Sequence, residues 1–261
     1  MNQDVIFALF LTLFAGLSTG IGCVMSLFAK RTNTKFLSLS LGFSAGVMLY
    51  VAMIEIFKKS QFYLTQSYGE IKGNYFTVAA FFAGIILIAL IDYFIPSAES
   101  DIGAAPGTEK QNQLKRMGLV TALTLGIHNF PEGMVTFTSA LKDPGLGIAI
   151  AVAIAIHNIP EGIATSLPIY FSSGNKKKAF GISFLSGMCE PIGALLGYLL
   201  LRPFFNDTTF GIIFGMIAGI MVFISLEELL PMAHEYEKSK ITIIGVILGM
   251  ATMALSLLML L

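Results

Sequence analysis

The hexapeptide His128-Asn129-Phe130-Pro131-Glu132-Gly133 recurs twenty-nine positions later as His157-Asn158-Ile159-Pro160-Glu161-Gly162. Two of the three histidines of the chain fall in these copies, and each copy lies within a long apolar run. An imidazole or a carboxylate inside a membrane span is energetically costly and usually marks a functional site. Residues four apart share one face of a helix, so each histidine is predicted to stand over the glutamate of its own copy. Two such faces turned toward each other would form a divalent-metal site inside a membrane.

The composition of the chain is that of a polytopic membrane protein. Its 261 residues are 55% hydrophobic and 12% charged, with a mean hydropathy of +0.79, whereas length alone would allow one or two soluble domains. The formal net charge is zero, so the sequence predicts no nucleic-acid partner. The N-terminal residues lack a basic region, which favours a retained first span over a cleaved signal peptide.

Eight segments are long enough to cross a bilayer, which takes about 20 residues each. Placing both termini outside the cytoplasm puts eleven Lys and Arg residues in cytoplasmic loops and five in outer loops, as the positive-inside rule favours. The sequence therefore predicts an all-α protein of the cell inner membrane whose eight spans form one transporter domain. The predicted spans are 4–29, 36–57, 75–95, 116–140, 145–170, 179–201, 209–231 and 241–261.

The longest connection, 96–115, is rich in Ser, Ala, Gly and mixed charges, which predicts a flexible cytoplasmic linker. It contains no histidine, so it is not predicted to be a metal-binding tract. The other loops are short, which makes consecutive helices antiparallel neighbours.

A second internal repeat relates the two ends of the chain. Residues 42–57 (GFSAGVMLYVAMIEIF) align without gaps with residues 215–230 (GMIAGIMVFISLEELL), matching Gly, Ala, Met and Glu positions. In the predicted topology one segment runs outward and the other inward, so the halves are inverted copies around a central helix pair, a 3+2+3 arrangement. Inverted repeats with a site at the midplane are typical of transporters, although Gly- and Ala-rich membrane helices also resemble one another by chance.

The ligand types in the doubled motif indicate which metal the site would take. Imidazole nitrogen with carboxylate and amide oxygen suits Zn²⁺, Fe²⁺, Mn²⁺ or Co²⁺, and the motif has no thiolate for Cu(I). The two cysteines, Cys23 and Cys189, lie far apart in apolar segments and are interpreted as packing residues. Pro131 and Pro160 each remove a backbone hydrogen-bond donor from the helix and leave a carbonyl without its partner, near Ile127 and Ile156. Such an unpaired carbonyl is tolerated in a membrane only beside a cavity or polar partner.

Four residues outside the motifs are further candidates, each with a plainer interpretation. Glu190, beside Pro191 in mid-span, is either a third acidic ligand or a partner of the central helices. Met48 is a soft candidate ligand, although a methionine in a span usually packs. Glu228 and His234 could form an exit path or proton relay, or simply a polar helix end. Glu55 and Asp92, near the ends of their spans, are expected to snorkel or cap.

Paired HNxPEG motifs, an SGxxEP helix (186–191) and eight spans make this chain resemble the ZIP (Zrt-/Irt-like) metal transporters over essentially its whole length. The resemblance implies a 3+2+3 bundle that imports metal into the cytoplasm through a binuclear site, by an elevator-like displacement of one helix bundle against another. Transported Zn²⁺ is then substrate rather than cofactor. Some bacterial relatives have Gln-Asp where this chain has His157-Asn158, so the second ion site of this chain has one negative charge fewer.

The resemblance also implies which residues hold each ion. One ion would be bound by His128, Glu132, His157 and Glu161, with Met48 nearby. The other would be bound by Asn129, Glu132, Asn158, Glu161 and Glu190, with the two shared glutamates bridging.

Two other function classes remain open at this point. A cation/proton exchanger would need the carboxylates but not the histidines. An intramembrane metalloprotease would place a general base beside a histidine, as in HExxH, whereas here asparagine follows each histidine. The sequence ranks none of the four metals, and its Gly and Ala faces would allow a homodimer in the lipid bilayer.

Overall fold

The computed structural model describes residues 3–30, 33–94, 108–142, 144–201, 206–237 and 240–259, which are almost entirely helical. The predicted all-α polytopic fold is confirmed, while the 3+2+3 inverted arrangement stays a prediction. We number eight successive rods α1 to α8. Their bounds are α1 Gln3–Leu27, α2 Thr34–Tyr68, α3 Glu70–Phe94, α4 Thr108–Lys142, α5 Pro144–Ser173, α6 Lys176–Gly187 with Cys189–Leu196 and Gly197–Leu201, α7 Asp207–Phe223 with Ile224–Leu229 and Leu230–Tyr236, and α8 Ile241–Met259.

Seven of the rods in the described part of the chain are long and apolar enough to cross a membrane. The remaining rod, α4, has 35 residues and therefore ample length, but its composition is more polar than that of the others. That polarity comes from the first HNxPEG motif and from the charged start of the helix.

Two boundaries differ from the sequence prediction. Helix α2 continues to Tyr68, so Lys58 and Lys59, placed in an outer loop by the sequence analysis, are helical. Helix α4 begins at Thr108, so the last part of the predicted linker 96–115 is also helical, and 96–107 lies outside the described residues. Both extensions are polar. A hydropathy criterion therefore predicts that the helices end earlier than they do, because helical hydrogen bonding continues beyond the membrane surface.

Asparagine and glycine mark several ends of the helices. The side chains of Asn33, Asn175 and Asn206 each accept a hydrogen bond at 3.0 Å from the backbone N–H three residues on, the usual N-cap of a helix. Gly69 and Gly174 follow α2 and α5 with φ angles of 78° and 68°, a conformation that favours glycine.

The rods pack as two groups. Helices α1, α4, α5 and α6 contact one another extensively, and so do α2, α3, α7 and α8. We call these the motif group, because it carries both HNxPEG copies, and the flanking group. The two groups meet mainly where α2 packs on α5 and where α4 meets α7. One hydrogen bond across this boundary runs from the Ser44 hydroxyl to the carbonyl oxygen of Pro160, at 2.9 Å.

The internal repeat between α2 and α7 is visible in the backbone. Each helix contains one π-helical segment, Val51–Ile56 in α2 and Ile224–Leu229 in α7, at equivalent positions of the two aligned sequences. Such segments are rare and concentrate at functional sites. Their matching positions support the predicted repeat, and α6 ends in a further π-helical segment, Gly197–Leu201.

Glycines extend this repeat to every helix of the bundle. At these positions two backbones approach so closely that a Cβ on the glycine would overlap the opposing carbonyl oxygen. The contacts come in matched pairs. One contact of a pair becomes the other when each helix is replaced by its counterpart in the repeat, α1 by α6, α2 by α7, α3 by α8 and α4 by α5. In the flanking group the pairs are Gly46 on Val246 with Gly219 on Phe81, and Gly249 on Phe43 with Gly84 on Met216; in the motif group they are Gly22 on Ile159 with Gly193 on Phe130, and Gly162 on Thr19 with Gly133 on Glu190.

We predict that Gly46→Ala destabilises the protein although alanine is the better helix former. Its Cβ would overlap the Val246 carbonyl oxygen, and overpacking of this kind costs about 1–3 kcal/mol. Thermal unfolding in detergent should show a lower Tm. Gly181→Ala is the control, because a Cβ at Gly181 meets nothing within 4 Å. Equal Tm values for the two variants would contradict the close approach of α2 and α8.

Candidate metal centre

The centre is built on α4 and α5, whose HNxPEG copies face each other inside the motif group. His128 is fully buried, and Glu132 and Glu161 are 4% and 1% exposed. Helical spacing places His128 over Glu132, as the sequence predicts, and the packing of α4 against α5 adds Glu161 from the second copy. The structure thus brings members of both copies into one cluster.

The distances within this cluster suit a small cation. The Nε2 atom of His128 lies 3.3 Å from Glu132 Oε2 and 3.2 Å from Glu161 Oε1. Two ligands on a tetrahedral zinc ion, each about 2.0–2.1 Å from the metal, lie about 3.3–3.4 Å from each other. Neither contact has hydrogen-bond geometry, and both ring nitrogens of His128 are buried without a hydrogen-bond partner. Buried polar atoms of this kind point to a missing charged or polar ligand.

Within the described residues, no three histidine, cysteine or acidic side chains are arranged so that they could hold a metal ion by themselves, although His128 lies within 3.3 Å of both Glu132 and Glu161. The predicted ligand His157 has a described backbone, but its side chain lies outside the described part. A complete site therefore depends on His157 and on oxygen donors from neutral side chains, in addition to the three clustered residues.

The two asparagines of the motifs are held by the helices that flank the central pair. Asn129 Nδ2 donates to the Ser186 carbonyl oxygen on α6 at 3.1 Å, and Asn158 Nδ2 donates to the Ala15 carbonyl oxygen on α1 at 3.0 Å. A carbonyl only accepts, so the amide nitrogens must face these partners. The Oδ1 atoms of both residues are buried without a hydrogen-bond partner, which leaves them free to bind a cation.

Glu190 stands next to the motifs on α6, as the sequence prediction of a third acidic ligand requires. It is fully buried, and its Oε1 accepts a hydrogen bond from Asn158. Its Oε2 has no hydrogen-bond partner, and its charge interacts with those of Glu132 and Glu161. Three carboxylates in one apolar interior repel one another, which destabilises the fold. A bound divalent cation would reduce this repulsion.

The structure describes other surroundings for the remaining predicted candidates. Met48 is buried in the apolar core that includes Ile163 and Ala164 of α5, so its position also fits a packing role. Glu228 lies on α7 and is 3.6 Å from Arg116, while His234 is exposed near the end of α7. The structure therefore does not bring Glu228 or His234 to the motifs.

Several supporting residues escaped the sequence analysis. Thr136 and Thr165, four residues after the motif glutamates, each donate a hydrogen bond at 3.0 Å to the glutamate carbonyl. A longer comparison of the two copies would have found this matched pair. Thr19 on α1 is fully buried with an unpartnered hydroxyl, and it occupies the position in the repeat that Glu190 occupies on α6. The sequence carries the same correspondence, because Gly16, Ile21 and Gly22 match Gly187, Ile192 and Gly193 at the same offset.

Two charged residues near span ends have ion-pair partners that the sequence did not reveal. Asp92 was expected to snorkel or cap, but it forms an ion pair with Arg116 at 2.6 Å. Glu55 likewise forms an ion pair with Lys59 one turn further along α2, at 2.8 Å. Lys59 lies in the polar extension of α2 beyond the predicted span, whereas Arg116 is the first residue of the predicted span 116–140.

Comparison with known proteins gives matches over the whole chain. The family model described as ZIP zinc transporter matches residues 98–257. The zinc transporter ZupT of Lysinibacillus sphaericus (strain C3-41) is 54% identical over 268 aligned residues, covering 100% of both chains. The proteins of the same name from Chlorobium chlorochromatii (strain CaD3) and Streptococcus mutans serotype c are 56% and 55% identical, each covering 99% of both chains.

We predict that Zn²⁺ stabilises the purified protein and that Glu161→Gln abolishes most of this effect. A ligand present at 100 times its Kd adds about 2.7 kcal/mol to the free energy of unfolding, which raises the Tm. Neutralising Glu161 removes an oxygen 3.2 Å from His128 and one of the charges that attract the ion. The control is Glu70→Gln, at an exposed glutamate. An unchanged zinc-dependent Tm shift in Glu161→Gln would argue against the cluster as the binding site.

Proposed function

We infer from its membership of the ZIP zinc transporter family, to which this chain belongs, that the protein carries Zn²⁺ across the membrane into the cytoplasm. The family is one of transporters, not enzymes. The observation that carries the proposal is the buried cluster of His128, Glu132 and Glu161, drawn from both copies of the doubled motif. Nitrogen and oxygen donors of this kind bind zinc reversibly, as a carrier requires.

The proposed path contains two adjacent ion positions. His128, Glu132, His157 and Glu161 would hold the first ion, with Met48 as a further ligand from the flanking group. Asn129, Asn158 and Glu190 would hold the second ion together with the same two glutamates as bridges. The free Oδ1 atoms of both asparagines and the free Oε2 of Glu190 support this second position.

The membrane potential favours import of the ion. Each elementary charge gains about 2.3 kcal/mol per 100 mV, so an ion of charge +2 is drawn strongly toward a negative cell interior. The proposed orientation, with both termini outside, places Glu228 and His234 toward the cytoplasm, where they would receive the ion after it leaves the centre.

Transport itself is proposed to move the motif group against the flanking group. The candidate ligands of α4, α5 and α6 all belong to the motif group, so they would travel together and keep their geometry. Met48 lies on the flanking group, and its contact with the ion would be made in one state and lost in the other. The paired glycine contacts lie within the groups, so this displacement would leave them intact.

We predict that Glu132→Ala and Glu161→Ala each abolish Zn²⁺ uptake by proteoliposomes while the protein is still inserted. Each change removes a bridging carboxylate, so both ion positions lose a charge and a ligand. Uptake is measured with radiolabelled zinc, with Glu70→Ala as a matched exposed control. Near-normal uptake by both variants would overturn the site assignment. Competition by Fe²⁺, Mn²⁺ and Co²⁺ in the same assay ranks the other candidate substrates.

We also predict that acidifying the outer solution weakens zinc uptake. Metal ligands must be deprotonated to bind, so protons and Zn²⁺ compete for the carboxylates and imidazoles of the centre. The apparent KM for zinc should rise between pH 7.5 and pH 5.5, with a smaller change in the maximal rate. A KM that is the same at both pH values would contradict binding at these ionisable groups.

The same vesicles test the competing function. A cation/proton exchanger would change internal pH when a Na⁺ gradient is imposed, with or without zinc. The proposed carrier gives no such signal and takes up zinc without sodium.

A further inference from the structure

We propose that Arg116 is a gating residue of transport, which ties the motif group to the flanking group at the end of the bundle where α4 begins. Its ion pairs would have to part before a cation could leave by that end. This inference rests on the proposed transport function, but its test does not require zinc.

Arg116 bridges three helices that belong to both groups. Its Nη2 atom lies 2.6 Å from Asp92 Oδ1 on α3 and also donates to the Asp92 carbonyl oxygen at 3.3 Å. Its Nη1 atom lies 3.6 Å from Glu228 Oε1 on α7. Arg116 itself belongs to α4 and hence to the motif group, whereas α3 and α7 belong to the flanking group.

The surroundings of these ion pairs make them stronger than surface pairs. The side chains of Arg116 and Asp92 are 23% and 22% exposed, and that of Glu228 is 9% exposed. A guanidinium that hydrogen-bonds one carboxylate and has a second carboxylate near its other terminal nitrogen is oriented as well as attracted. Partly buried pairs of this geometry are costly to break, because each partner is then left with an unpaired charge in a poor solvent.

A polar face of α4 leads from the metal centre toward the end of the bundle where Arg116 lies. Thr121, Thr124 and His128 follow one another along one face of α4, and all three are buried. The Thr121 hydroxyl has no hydrogen-bond partner. A buried polar stripe of this kind is suited to a hydrated path. Arg116 lies about one and a half turns further toward the end of α4, on another side of the helix, and the face of the stripe continues there with the buried Met117.

The repeat provides a comparison, because the equivalent place at the opposite end of the bundle is open. There a cavity of about 450 Å³ is lined by Glu55, Ile150 and Ala153. These residues occupy the repeat positions of Glu228, Thr121 and Thr124, respectively.

Among the described side chains at this end, no ion pair joins the two groups, although Lys58 also lines the cavity. The repeat position of Arg116 is held by Gly145, which has no side chain, and Glu55 pairs with Lys59 on its own helix at 2.8 Å. The two ends therefore differ in the arginine bridge and in their lining, which is apolar at Ile150 and Ala153 and polar at Thr121 and Thr124.

The experiment measures how fast a thiol in the stripe is modified by a membrane-impermeant maleimide. Cys23 and Cys189 are first replaced by serine, and Thr121→Cys is introduced, a change that breaks no hydrogen bond of the Thr121 hydroxyl. We expect slow labelling with Arg116 in place and labelling at least about fivefold faster with Arg116→Gln, since losing paired charges of this burial shifts an equilibrium by about 1 kcal/mol or more.

Lys115→Gln is the matched control, because it removes the same charge from an exposed neighbour. Its labelling rate should equal that of the parent. Exchanging the charges, with Arg116→Asp and Asp92→Arg together, should restore slow labelling. If Arg116→Gln does not purify as a single species, Asp92→Asn breaks the same pair from the flanking group and should also speed labelling.

Fast labelling with Arg116 intact, or equal rates for Arg116→Gln and Lys115→Gln, would overturn the gate. Zinc uptake by the same parent protein is measured separately. Normal uptake with unchanged labelling rates would reject the gate alone, and absence of uptake in the parent would reject the proposed function alone.

Discussion

Ionisable side chains in the middle of a membrane protein have to be shielded from lipid, and the buried His128–Glu132–Glu161 cluster imposes that constraint here. Helices α1 and α6 enclose the central pair and hold its asparagines by their backbone carbonyls. Glycines allow this enclosure, since Gly133 and Gly162 bring the motif backbones directly against the neighbouring helices. The glycine of each HNxPEG copy is therefore a packing requirement of the same site that the histidine and glutamate serve.

The repeat explains why the site is symmetrical in outline and asymmetrical in chemistry. The two motifs make equivalent contacts, Asn129 with α6 and Asn158 with α1. At the position where α6 carries Glu190, however, α1 carries Thr19, whose hydroxyl is buried without a partner. A duplicated backbone thus holds a negative charge on one side only, so the two proposed ion positions have different charges and different expected affinities.

Membership of the ZIP family and the grouping of helices fit one account of transport. A carrier needs a site that stays assembled while access to it changes. The candidate ligands on α4, α5 and α6 lie within one tightly packed group, and polar contacts such as that of Ser44 with Pro160 join it to the other group. Bonds within a group preserve the site, and bonds between groups set which state is favoured.

The sequence by itself determined the all-α membrane fold, the central helix pair and the pairing of His128 with Glu132, because hydropathy and helical spacing are local properties. It located the ends of α2 and α4 poorly, because polar turns continue a helix beyond the apolar run. Only the tertiary structure brought Glu161 to His128, anchored Asn129 and Asn158, and joined Arg116 to Asp92 and Glu228. These contacts depend on which helix faces lie opposite each other. Glycines that are far apart in the chain determine this pairing of faces, so no local sequence pattern predicts it.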